Sequence, residues 1–285
     1  MGFGEVVSET FNLLRHDLVK YFVVFAVVEV VIGAATIFAH QVVQIPTIPK
    51  APTNLSWLPG YIGATIESYL IIEVATLVVF PIAEGATIKI AAEAIEGRRV
   101  PLGASVRFAL SKLVWMWAVS LVVGVVVFLG FVALIVPGII LAIMFCLALP
   151  ALLLENAGVV GSLSRSRELV SHRWGKTFVT FFVLGFIVVL IGALLGVVGV
   201  FFGWASPLAT GILSGFYEPI LPIGLTVYFF SNRARISPPS PTGRGAVGSG
   251  PTPQPGMKFC PNCGTQLLAA ATFCSNCGAK QPVQA

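Results

Sequence analysis

LVKYFVVFAVVEVVIGAATIFAH, residues 18–40, decides the fold class. Between Lys20 and His40 its one charge is Glu29, and the rest is almost wholly apolar. A helix rises 1.5 Å per residue, so about 20 such residues cross the hydrocarbon core of a bilayer. Five more stretches read the same way: about 64–92, broken by Pro81; 112–135; 139–155, joined to the previous one by a turn around Pro137-Gly138; 177–203; and about 208–231. The sequence therefore predicts an all-α protein, a polytopic six-helix transmembrane bundle. Composition agrees. The chain is 56% hydrophobic and 10% charged, against about 25% charged in soluble proteins, and its mean hydropathy is +0.93. The opening MGFGEVVSET has no basic segment and holds Glu5 and Glu9, so the first span is expected to stay in the mature protein. Val6 stands where a myristoylation signal needs Ser or Thr.

The basic residues orient this bundle. Arg15 and Lys20 precede the first span. Lys89, Arg98, Arg99, Arg107 and Lys112 lie between the second and third. Arg165, Arg167, Arg173 and Lys176 lie between the fourth and fifth, and Arg233 and Arg235 come after the sixth. With six spans all of these share one side, and the opposite connections hold only Lys50. Lys and Arg collect on the cytoplasmic side. Both termini of a multi-pass cell-membrane protein are thus expected in the cytoplasm, and an odd span count would scatter the pattern. Trp57, Tyr61 and Trp204 near the outer ends, and Tyr21, Trp115, Trp117, Trp174 and Tyr228 near the inner ends, fit the headgroup level. Before the first span, Phe3, Val6, Val7, Phe11 and Leu14 recur at helical spacing. They predict an amphipathic helix over 3–17 lying in the inner interface.

Residues 1–236 form the predicted membrane domain. The stretch 237–256, SPPSPTGRGAVGSGPTPQPG, has 11 Pro or Gly in 20 residues and is expected to be a flexible linker. Residues 257–285 come next as a separate module. FCPNCG (259–264) and FCSNCG (273–278) set Cys260, Cys263, Cys274 and Cys277 in a C-x2-C-x10-C-x2-C pattern. Four thiolates at that spacing close a tetrahedral shell around Zn2+, a structural site with no open coordination position. A disulfide framework is the alternative, and a reducing cytoplasm argues against it. The segment 257–280 resembles the zinc-ribbon family, which implies docking to protein or nucleic acid. Only Lys258 and Lys280 are basic there, so nucleic acid finds no patch to grip. A cytosolic protein partner is the expectation. Cys146, alone in an apolar run, reads as a small buried thiol.

Acids at membrane depth are the other chemical signal. Glu29, Glu84 and Glu218 fall within or beside apolar spans, and Glu73 near an outer boundary. A charge there is costly, so each is a candidate polar site, with a hydrogen bond to a neighbouring helix as the plainer role. In the fifth span Gly185, Gly192, Gly196, Gly199 and Gly203 share one face, a seam for close helix packing or for a homo-oligomer contact.

IVPGIILAIMFCLALPALLLENAGVVGSLSRSRELV (135–170) and PIGLTVYFFSNRAR (222–235) resemble the bacterial and archaeal six-span membrane proteins related to the membrane domain of glycerophosphoryl diester phosphodiesterases. The resemblance covers about residues 5–235 and implies a helical bundle without importing an activity. His172-Arg173 is followed by Trp174, and no acidic metal cluster accompanies it, so contact with interfacial lipid is its expected role. Phosphate-loop, zinc-protease and nucleophile-elbow motifs are absent from the sequence, and His16, His40 and His172 are scattered. The chain is expected not to be an enzyme. A membrane-anchored adaptor or regulator acting through its ribbon is the leading expectation. A small-solute or lipid transporter or channel using Glu29, Glu84 and Glu218 is the alternative, and a structural lipid-packing bundle is the third.

Overall fold

The computed structural model describes residues 2–46, 55–171, 173–236, 257–260, 265–274, 278 and 280–281. The predicted linker 237–256, with Lys50, His172, Cys263, Gly264 and Cys277, lies outside them. The described helices are α1 (Phe3–His16), α2 (Leu18–Val42), α3 (Leu58–Ile95), α4 (Leu102–Ala133), α5 (Ile135–Phe145), α6 (Ala148–Glu155), α7 (Gly158–Ser171), α8 (Trp174–Val200), α9 (Ser206–Ser214) and α10 (Ile220–Ile236). Strands β1 (Met257–Phe259) and β2 (Gln266–Leu268) pair antiparallel, with Lys258 opposite Leu267.

Among the described residues, five helical stretches are long and apolar enough to cross a membrane: Leu18–Val42, Leu58–Ile95, Leu102–Ala133, Ile135–Glu155 and Trp174–Val200. The sixth predicted stretch, 208–231, is two pieces. α9 ends at Ser214, and α10 begins only at Ile220. Pro219 and Pro222 explain the break, because each lacks a backbone N–H and Pro219 disfavours the helical region at Glu218.

Pro81 and Pro137 act differently from expectation, Pro150 marks a kink, and each has a local reason. α3 runs unbroken through Pro81. The missing N–H of Pro81 would have bonded the carbonyl of Leu77, and the Trp117 indole N–H donates to that carbonyl instead, at 2.7 Å. A neighbouring helix thus satisfies the orphan group, which is how lipid-embedded helices tolerate proline. Trp117→Phe is therefore expected to cost about 1–3 kcal/mol, the scale of an orphaned acceptor. A lower thermal midpoint of the solubilised protein would register it, and an unchanged midpoint would remove this role.

The turn between α4 and α5 falls at Leu134, not at Pro137-Gly138. Pro137 sits in the first turn of α5, where an N–H has no helical partner in any case. A Cβ on Gly138 would meet the Phe131 ring at 2.5 Å, so glycine permits the tight hairpin. The fourth stretch kinks between α5 and α6, as the absent N–H of Pro150 allows. Ser166 of α7 fills the gap, accepting from the Leu147 N–H at 3.1 Å and donating to the Met144 carbonyl at 2.8 Å.

α10 is the most enclosed element, buried from Ile220 to Asn232 nearly without interruption, as a helix that is apolar all round requires. Its Ile223, Val227 and Phe229 join Val6, Leu13 and Leu14 of α1, Ile90 and Ile95 of α3, and Leu184 of α8 in the main core. Thr177 and Tyr228 share a buried hydrogen bond of 2.8 Å. α1 therefore packs part of its apolar face on protein, while Phe3 stays exposed. Charged pairs pin one end of the helices: Arg165 bonds Glu155 at 2.9 Å and Glu168 at 2.8 Å, and Arg233 approaches Glu155 at 3.3 Å.

Candidate functional site

The acids are sorted by where α9 lies. α2 carries Glu29, Gly33, Thr36 and His40 at i, i+4, i+7 and i+11, one stripe of a helix. α9 packs on that stripe at backbone distance. A Cβ on Gly33 would stand 3.0 Å from the Pro207 carbonyl oxygen, and one on Gly211 would stand 3.0 Å from that of Glu29. The Phe22 and Phe216 rings, 4.5 Å apart, continue the contact. Beyond α9 the chain breaks, and the break delivers Glu218 to the same place.

The result is a cavity of about 630 Å³ lined by Glu29, Thr36, His40, Thr210, Ser214, Tyr217 and Glu218, with Gly33, Gly203 and Gly211 in its wall. The Glu29 and Glu218 carboxyls face one another within hydrogen-bond reach. One Glu218 oxygen, Oε2, is buried without a hydrogen-bond partner among the described residues. His40 and Glu29 are separated by about 16 Å along the helix axis, so the cavity extends from one end of α2 towards its middle. Two carboxyls at this range hold a shared proton or a single cation far better than two isolated charges. Hydroxyls around them supply further oxygens to a small cationic or proton-donating guest.

Glu84 is elsewhere. It is half-buried on α3 and does not line this cavity, and Glu73 is exposed. The glycine seam of α8 divides. Gly192 meets the Tyr217 ring, with a Cβ 3.2 Å away, and Gly199 meets Thr210, so these two admit the walls of the cavity. A Cβ added at Gly185 or Gly196 would meet nothing within 4 Å from beyond its own stretch of helix, among the described residues. Gly203, with φ +57°, opens the short 3-10 turn after α8. Sequence reasoning missed His40, Thr36, Tyr217 and Ser214 as companions of the acids. The stripe on α2 was visible, but its partner helix was not.

The ribbon is built on its hairpin. β1 ends at Phe259, and the Cys260 N–H donates to the Thr265 carbonyl at 2.9 Å, closing the first knuckle. The Gly278 N–H donates to the Cys274 carbonyl at 2.8 Å with φ +75°, a turn that needs glycine. Cys260 and Cys274 are buried in one small cluster with Leu267. The Gln281 amide donates to Cys260 Sγ at 3.3 Å, as a thiolate invites. Two buried sulfurs from two knuckles in one cluster fit a zinc shell that Cys263 and Cys277 would complete, and the ion would cross-link both halves of the hairpin. The ribbon rests on the helices. Phe273, 4% exposed, stacks on Phe230 of α10 with centroids 6.2 Å apart and belongs to the main core. Lys280 pairs with Glu9 of α1.

A strongly helical chain with several membrane-length apolar helices and a thiolate-bearing hairpin at its carboxy-terminal end fits a membrane protein with a zinc-ribbon domain. Residues 259–281 match the zinc-ribbon domain family. No curated protein and no solved structure matches the chain.

Proposed function

We propose that this is a non-enzymatic, multi-pass membrane protein that admits a small cationic or proton-donating solute to the cavity between α2, α9 and the break before α10. The observation that carries this reading is the pairing of Glu29 with Glu218 in a hydroxyl-lined cavity. An intramembrane acid is costly and is kept where it meets a partner, a guest or water. A discontinuous helix at that point is a further argument, since transporters build substrate sites where a spanning helix unwinds. α9 and α10 together make a broken sixth crossing, and six crossings place the basic residues on one side. Both termini and the ribbon are then cytoplasmic, with Zn2+ held by Cys260, Cys263, Cys274 and Cys277.

The test is uptake into liposomes holding the purified protein, with methylammonium as the probe. Glu29→Gln with Glu218→Gln is expected to lower uptake about tenfold or more, the scale of losing one charge-assisted hydrogen bond, whereas Glu84→Gln leaves it unchanged. Equal uptake by wild type, the double variant and empty liposomes would refute the reading and leave a packing role for the acids.

The ribbon supports a second reading, that of a membrane-anchored adaptor for a cytosolic protein. Its contacts with the helices include the Phe273 stack on Phe230 and the Lys280–Glu9 ion pair. Contacts of this kind are ones a partner could displace. This reading requires capture of a cytosolic protein by zinc-loaded chains and none by zinc-stripped ones.

A further inference from the structure

We propose that the cleft between the start of α8 and the end of α10 seats the headgroup phosphate of an anionic membrane phospholipid. The cleft, about 790 Å³, is lined by Arg173, Trp174, Gly175, Lys176, Asn232 and Arg235. It is separate from the cavity around Glu29 and shares no lining residue with it.

Four features of this cleft favour an anion. Three cationic side chains converge on it from two helices. Burial, and then the charge of neighbouring Arg235, press the Arg173 guanidinium below its ordinary value, so a negative guest would relieve both strains. Arg173 Nη1 and the Trp174 indole Nε1 are buried donors with no acceptor among the described residues. Lastly, α8 begins at Trp174 with no side-chain cap, which leaves the first backbone N–H groups of a 27-residue helix free to point at the same place. The arrangement offers a phosphate both a bidentate guanidinium fork and the positive end of a helix.

A lipid, not a free phosphate, is the better guest because of what lies below the cations. Trp174 stacks on Phe178 at 5.7 Å and Phe178 on Phe182 at 5.8 Å, a rail of rings running down α8. Phe182 and, one turn further, Phe186 are exposed on that membrane-length helix. A chain leaving the cleft would lie along them with its tail in hydrocarbon. Basic clefts at the inner ends of spanning helices are suited to acidic headgroups. Asn232, 1% exposed, donates its amide to the Leu169 carbonyl, and its Oδ1 is left without a donor among the described residues. A headgroup with a hydroxyl would satisfy that oxygen.

The full-length protein, solubilised in neutral detergent, is titrated separately with phosphatidylglycerol, phosphatidylcholine and inorganic phosphate, with bound lipid counted by native mass spectrometry. Phosphatidylglycerol is expected to bind about tenfold more tightly than phosphatidylcholine, and Arg173→Gln with Arg235→Gln to abolish that preference, the two guanidiniums together being worth about tenfold. Exposed Lys176→Gln and Trp174→Phe carry the same test if the double variant does not fold, each lowering the preference. Unchanged preference in these variants would overturn the site. Inorganic phosphate displacing phosphatidylglycerol at equal concentration would overturn the lipid as its guest.

Discussion

Chelating the metal from the full-length protein, or replacing Cys260 with Ser, is expected to unfold residues 257–281 while the helices stay folded. The hairpin has two strands of three residues each. Its own apolar cluster is Cys260, Leu267 and Cys274 with Ala271 packed against them. A two-stranded hairpin of that size is at best marginal in water. Zinc bound by four thiolates contributes about 10–16 kcal/mol of coupled folding energy in comparable small modules, far more than the cluster supplies. Losing the ion should therefore lose the fold outright, together with the stack of Phe273 on Phe230. The measurement is zinc content alongside limited proteolysis. The expected result is loss of the single bound zinc, rapid cleavage within the ribbon and an unchanged helical circular-dichroism signal. A ribbon that stays protected from protease after the metal is gone would show that the hairpin folds by packing on α1 and α10. The same samples decide the adaptor reading, since a partner held by the ribbon should leave with the zinc.

The two halves of the chain were legible in the sequence to different depths. Cysteine spacing is a local constraint, because two knuckles of fixed length face one ion, and four residues were enough to name the module. Apolar length is local too, so six apolar stretches could be counted without any tertiary knowledge; five of them are membrane-length helices among the described residues, and the sixth, 208–231, is two pieces. Proline was the point of failure. Pro81, Pro137 and Pro150 each mark a missing N–H, and the structural outcome depends on whether some other group compensates: the Trp117 indole for Pro81, nothing for Pro137 in a first turn, and Ser166 for the kink before Pro150. The break at Glu218-Pro219 belongs to the same class. Its signal, two prolines three residues apart beside an acid, was present as a mark of freed backbone groups, but the sequence alone did not say that the helix would stop.

The candidate site was half legible for a related reason. Glu29 and Glu218 were singled out because charge at membrane depth is costly, and that argument is indifferent to what each acid faces. It ranked Glu84 equally, although Glu84 lies away from the cavity. The discriminating feature is the company of Glu29 on α2. Gly33, Thr36 and His40 share its stripe, whereas Glu84 is followed by Gly85, whose missing Cβ accommodates Met116. A small residue near an acid thus served two different neighbours, a helix backbone in one case and a side chain in the other.

Gly211→Leu is expected to destabilise the solubilised protein by about 1–3 kcal/mol, the usual penalty for forcing extra atoms into a close contact, and to abolish methylammonium uptake. A Cβ at this position would stand 3.0 Å from the Glu29 carbonyl oxygen and 3.2 Å from the Glu29 Cβ. The first of these is backbone and cannot rotate away. α9 must therefore withdraw from α2, and Glu218, a short turn beyond it, must move off Glu29. Gly185→Ala is the matched control. Among the described residues nothing from beyond its own stretch of helix lies within 4 Å of its added carbon, and alanine favours helix over glycine by up to about 1 kcal/mol, so its midpoint should hold or rise and its uptake should persist. The pair of variants separates packing from chemistry: the Glu29→Gln, Glu218→Gln protein should keep its midpoint and lose uptake, while Gly211→Leu should lose both. A Gly211→Leu protein as stable and as active as wild type would mean that α9 does not rest on α2, and the two carboxyls would then have no common cavity in which to act.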